Sequence, residues 1–126
     1  MNDTRMTPDR LVILESPYAG EVTTNEDYAR DCMRDSLLRG EAPYASHLLY
    51  TQPGVLDDDV PNERSLGIAA GFAWRRVAQA TVVYTDLGIS HGMELGIADA
   101  KTRGVPVEFR QLADWAPMRG PEVSDA

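Results

Sequence analysis

Asp86, Ser90, Gly92 and Glu94 stand close together in VVYTDLGISHGMELG, residues 82–96. Two acids, a hydroxyl and a glycine in so short a stretch can bind and attack a small polar molecule. Ser90 is a good helix N-cap, and Gly104 is a plausible stop for that helix. Glu94 then lies in the first turn, beside free backbone N–H groups and the positive end of the helix dipole. A carboxylate there stays ionised, as a nucleophile or a hydroxyl-binding acceptor must. Acidic residues also favour first turns for helix stability alone. What adds a functional reading is the loop's position.

That position follows from the flanking elements. Ala80 to Tyr84 is a short apolar run rich in β-branched residues, the pattern of a buried strand. It stops at Asp86-Leu87-Gly88. Strand, tight turn and helix make half of a βαβ unit, with the turn at the carboxyl end of the strand, where open α/β sheets bind ligands. Arg10 to Glu15 (RLVILE) reads as the first strand, halted by Pro17 in Ser16-Pro17-Tyr18-Ala19-Gly20. This loop's hydroxyl, amides and ring suit a sugar, phosphate or base, and the same composition also makes a plain connecting turn.

Thr23 and Glu26 have capping-box spacing, and the helix they open ends at Arg39-Gly40. Cys32 reads as a core thiol. Glu41 to Tyr50 reads as a second strand running into a loop, with His47 placed to contact a ligand or to bond the backbone. Thr51 to Pro61 is a long polar loop in which Asp57 to Asp59 read as solvated acids rather than a metal site. Asn62 is the expected cap of the next helix, whose apolar stripe is Leu66, Ala69, Ala70, Ala73 and Val77. Gly67 and Gly71 allow close packing against the sheet or a partner. Arg64 lies near that helix start, where a cation is unfavourable unless something else holds it, which makes it a candidate for holding an anionic ligand. Val105 to Arg110 is the fourth strand, and Pro106 implies that it lies at an edge or begins there.

Strands alternating with helices imply a parallel sheet with right-handed crossovers. The expected fold is α/β, a flavodoxin- or Rossmann-like three-layer sandwich with strand order 2-1-3-4. The switch point then brings Ser16, Pro17 and Tyr18 beside Asp86 to Glu94. Length predicts one domain over residues 1–126, with 1–9 and 117–126 as flexible tails. A net charge of −8 argues against a nucleic-acid polymer as partner. A single cysteine and no long apolar run point to the cytoplasm and away from a membrane.

Four segments carry a resemblance: SPYAG, GEAPYASHLLYTQPGVLDDD, ER..GI.AGFAW and VVYTDLGISHGMELGI. They resemble the nucleoside 2-deoxyribosyltransferase-like superfamily, which includes deoxynucleoside 5′-monophosphate N-glycosidases. The chain is most similar to small phage and actinobacterial members. The resemblance implies that Glu94 attacks C1′ of the sugar and displaces the base. It implies that Ser16, Pro17 and Tyr18 receive sugar and base, and that Ser90 with Gly92 holds a 5′-phosphate. Gly88, Met93, His47 and Arg64 complete the expected binding set. The enzymes carry an Asp on the helix before the third strand that protonates the leaving base. No acid stands around Ala70 to Trp74 here, so Asp86 or one of Asp57 to Asp59 would substitute. The expected function is therefore N-glycosidase or deoxyribosyltransferase, without metal or cofactor. The alternatives are a non-catalytic protein that senses or sequesters a nucleotide, and a small interaction subunit. Relatives pair into homodimers or higher homo-oligomers in which a neighbour completes the site, and the Gly67 to Trp74 helix would suit that contact.

Overall fold

The computed structural model describes residues 8–117. Of the expected tails, residues 1–7 and 118–126 lie outside that range, while Asp9 donates its N–H to Gly40 O at 3.1 Å. The elements are β1 (Arg10–Glu15), α1 (Val22–Leu38), β2 (Glu41–Tyr44), α2 (Ser46–Leu49), α3 (Pro61–Ala73), a 3-10 turn (Trp74–Arg76), β3 (Ala80–Tyr84), α4 (His91–Thr102) and β4 (Val107–Arg110). The four strands form one parallel sheet in the order β2-β1-β3-β4. The fold is the α/β sandwich expected from the sequence.

All five residues of β3 are buried, as a central strand covered on both faces requires. Side chains alternate between the faces. Val12, Leu14, Val82 and Tyr84 pack with Tyr28 and Cys32 of α1. Glu15 and Thr81 project the other way and bond Arg75 behind α3. Helices α2, α3 and α4 share that second face, since a Cβ at Gly71 would lie 2.8 Å from Ser46 Cβ and Arg75 reaches Asp99 on α4.

Charged groups tie the sheet together on the α1 side. Glu41 accepts from Arg110 at 2.6 and 2.8 Å, from Ser36 Oγ at 2.7 Å and from Arg10 at 3.3 Å. Burial opposes its ionisation, but the hydrogen bonds from Arg110 and Ser36 outweigh it and hold Glu41 below the usual carboxylate range.

Several element boundaries differ from the sequence expectation. β2 ends at Tyr44, where its pairing with Ile13 ends, and residues 46–49 turn helical. β4 begins at Val107, because Pro106 has no N–H and supplies only its carbonyl, to Thr81 N. The Thr23–Glu26 capping box does not form. α1 starts from Glu21 without a side-chain cap, and Asn25 instead donates to the Tyr18 and Ala19 carbonyls. α3 starts with Pro61 at its first position behind Val60, not behind Asn62. Its stripe is also reversed: Leu66, Ala69, Ala73 and Val77 are exposed. The inward face is built on Gly67 and Gly71, which lie against Leu56 and Ser46. The two glycines let that face approach its neighbours closely, and Ile68 and Phe72 flank them on the cleft side.

Candidate functional site

A cleft of about 180 Å³ opens at the carboxyl ends of β1 and β3. Its walls come from the loop after β1, from α2, from the 51–59 loop, and from the inner faces of α3 and α4. This is the switch point of the sheet, where the strand order turns back on itself.

The best-formed wall is the start of α4. Ser90 caps it, accepting the Met93 N–H at 3.3 Å, while Ser90 N donates to Met93 Sδ at 3.3 Å. Gly104, at φ +74°, follows the helix end in the left-handed conformation that suits glycine. Opposite stands Arg64, whose Nη1 bonds Asp58 Oδ2 at 2.7 Å. A Cβ at Gly92 would lie 3.8 Å from Arg64 Nη2 and 4.0 Å from Ser90 Oγ. The missing side chain at Gly92 thus leaves room for about one Cβ in van der Waals contact with a guanidinium and a hydroxyl, beside the N–H groups of a helix start. That combination suits a phosphate.

The floor is polar, with Ser16 and Arg75 buried and Glu15 and His47 half-buried. Ser16 Oγ and His47 Nε2 are hydrogen-bonded at 2.7 Å. Glu15 accepts from Arg75 Nη2 at 2.7 Å, and the same guanidinium reaches Asp99 Oδ2 at 3.2 Å and Thr81 Oγ1 at 3.0 Å. The Arg75 side chain is completely buried. Gly96 makes room for this group: a Cβ there would lie 2.6 Å from Glu15 Cδ.

Of the residues singled out from sequence, Ser16, Tyr18, His47, Arg64, Ser90, Gly92 and Met93 line the cleft. Pro17 is buried beside it but is not part of the lining. Gly88 shapes the turn, at φ +86°. Asp86 is occupied on the α1 side, where Tyr28 Oη donates to it and Leu112 N donates at 2.9 Å. Glu94 stands outside the lining, with 66% of its side chain exposed and its Oε1 3.7 Å from His91 Nδ1. The helix turns it away from Gly92 and Gly96, which share the inner face at four-residue spacing. Sequence reasoning missed Glu15 and Arg75. A glutamate ending an apolar strand that meets a ligand-binding loop was the available signal for the first. Among the described residues no group of three or more His, Cys, Asp and Glu is arranged to hold a metal.

Two floor groups titrate in opposition. Burial pushes Glu15 up to about 7, against the pull of Arg75. Burial pushes His47 down to about 4. Between pH 4 and 6.5, unfolded His47 holds a proton that the folded state lacks, so its contribution to stability rises with pH. Between pH 4.5 and 7, folded Glu15 holds a proton that the unfolded state lacks, so its contribution falls with pH. The two slopes oppose each other near pH 5–6.5. Urea unfolding should be nearly flat with pH there, and Glu15→Gln should unmask a rise in stability with pH. A Glu15→Gln protein as flat as the wild type would refute the opposition.

The fold is that of an α/β protein with an all-parallel sheet and a cleft at its switch point. Residues 10–110 match the family described as a domain of unknown function (DUF7768), and the chain belongs to that family. No curated protein and no solved structure matches the chain. No helix among the described residues is long and apolar enough to cross a membrane.

Proposed function

We propose that the cleft binds a nucleoside 5′-monophosphate and cleaves or transfers its N-glycosidic bond. The observation that carries this reading is the convergence of Arg64 Nη2 and Ser90 Oγ on Gly92 at the start of α4, all lining the cleft. The phosphate sits there, while sugar and base lie along Tyr18, Ser16 and His47. Glu94 follows Met93 of the lining on α4, and in this reading its exposed side chain turns towards the cleft to bring the carboxylate to C1′. The resemblance to nucleoside 2-deoxyribosyltransferase-like proteins supports the same assignment, as hydrolase or transferase, in a cytoplasmic setting that suits a free Cys32. The exposure of Glu94 favours a second reading, a nucleotide-binding protein that senses or sequesters its ligand without turnover.

The deciding experiment is chromatographic detection of free base from a panel of ribo- and deoxyribonucleosides and their 5′-monophosphates. Base release supports the first reading. Saturable binding without release supports the second. Neither release nor binding overturns both.

Arg64→Ala tests the phosphate site. Hydrogen bonds to charged groups contribute ~1.5–3 kcal/mol, so affinity for the monophosphate should fall roughly 10- to 150-fold. Affinity for the corresponding nucleoside should stay within about threefold. Calorimetric titration of both ligands reads the difference, and equal losses would remove Arg64 from the phosphate.

The partner is a second copy of the chain. Leu66, Trp74 and Val77 are 60%, 47% and 55% exposed along α3 and its 3-10 extension. An apolar helix face of this kind marks an interaction surface. Light scattering at micromolar concentration should give a dimer mass or more, and a monomer mass excludes the pairing.

A further inference from the structure

We infer that Glu15 is the acid that gives a proton to the leaving base, an inference that rests on the N-glycosidase reading above. Breaking an N-glycosidic bond leaves an electron pair on a ring nitrogen, and a positioned acid there contributes ~10²–10⁴-fold. Among the described residues, three carboxyl side chains line the cleft: Glu15, Asp58 and Glu63. Asp58 is bridged to Arg64, and Glu63 Oε1 accepts the Asp57 N–H at 2.8 Å. Both are thereby tied to the 51–59 loop and the phosphate side.

Glu15 is placed differently. It ends β1 on the cleft floor, next to Ser16. Its Oε2 accepts from Arg75 Nη2, and its Oε1 has no hydrogen-bond partner among the described residues. Arg75 does not depend on Glu15 for its counter-charge. It is also paired with Asp99, which is itself held by Arg103 at 3.0 Å. A protonated Glu15 can still accept from Arg75 through one oxygen and present its O–H on the other. The charged and titratable groups around it are Arg75 from the 3-10 turn, Asp99 from α4, and His47 and Arg64 across the cleft. Burial favours the protonated carboxyl and places its titration near neutral pH.

The step balances. The Glu15 proton goes to a ring nitrogen of the base. The C1′–N bond breaks with its electron pair on the base, and a Glu94 oxygen bonds to C1′. Water then displaces Glu94 from C1′, and its proton returns to Glu15. The products are free base and sugar 5-phosphate.

The test compares wild type, Glu15→Gln and Glu15→Asp on 2′-deoxyguanosine 5′-monophosphate and on its N7-methyl form. The methylated base already carries a positive charge and needs no proton to leave. Free base is measured with the rate without protein subtracted. Glu15→Gln should lose ~10²–10⁴-fold on the unmethylated nucleotide and less than about tenfold on the methylated one. Wild-type activity on the unmethylated nucleotide should fall as pH rises through about 7, and this limb should be absent with the methylated form. Equal losses on both substrates, or no loss, overturn the role of Glu15 while leaving the glycosidase reading intact. No release of either base by wild type, with nucleotide binding retained, overturns the catalytic reading and this role together. Should Glu15→Gln fail to fold, Glu15→Asp decides. It keeps an acid, so it must retain the pH limb on the unmethylated nucleotide, and loss of that limb overturns the proposal.

Discussion

Arg75→Ala should destabilise the protein by about 3–5 kcal/mol, the range for breaking a buried ion pair from one side. The guanidinium is completely buried and joins Glu15, Asp99 and Thr81. Removing it strands two carboxylates whose side chains are only 15% and 14% exposed, and leaves a cavity in place of the longest buried side chain behind α3. Most domains have only ~5–15 kcal/mol of stability in all, so the loss would be plain in a urea or thermal melt. Asp99 keeps Arg103 and suffers less than Glu15. The double variant Arg75→Met with Glu15→Gln should therefore recover part of the loss, because it removes the stranded charge and refills the volume. A double variant no more stable than Arg75→Ala would show that geometry, not uncompensated charge, dominates.

Glu94→Gln should abolish base release, by about 10³-fold or more, while nucleotide affinity stays within about threefold. Replacing a nucleophilic carboxylate removes an interaction made only on the way to the transition state, so turnover falls without a matching change in binding. The substitution is mild for the fold. The side chain is two-thirds exposed, with His91 Nδ1 3.7 Å from its Oε1, and glutamine is as good a helix former as glutamate. Any loss of activity can thus be read without a folding correction, and a circular dichroism melt checks this. Undiminished turnover would move the attack at C1′ to another group and leave Glu94 as a surface residue.

The strand order was legible in the sequence because it follows from local patterns and one handedness rule. Four apolar runs, three intervening helical segments and right-handed crossovers leave few arrangements, and 2-1-3-4 is the simplest. The cap at Ser90 was legible for the same reason: it depends on residues 90–93 and little else. The buried floor was not legible. Arg75 sits in the pair Arg75-Arg76 behind Trp74, and nothing local distinguishes the buried arginine from its exposed neighbour. Its burial depends on Glu15 in β1, on Asp99 in α4 and on the missing side chain at Gly96. The orientation of α3 failed similarly. Leu66, Ala69, Ala70, Ala73 and Val77 trace a stripe by spacing, yet the face of Gly67, Ile68, Gly71 and Phe72 turned inward. Asp86 looked catalytic by its position in the loop. Its hydrogen bonds to Tyr28 and Leu112 come from opposite ends of the chain and cannot be read from spacing.

The cleft is lined by residues from Ile13 to Met93, drawn from five separate stretches of chain. A molecule held there acts as a cross-brace between distant parts of the polypeptide, so it cannot stay bound while any one of them peels away. Protection from hydrogen exchange should therefore spread to the 51–59 loop, α2 and the start of α4 together. At a hundredfold excess over its dissociation constant such a molecule adds ~2.7 kcal/mol to the whole domain. The melting temperature then becomes a direct readout for sorting candidate metabolites, with no prior assumption about the reaction.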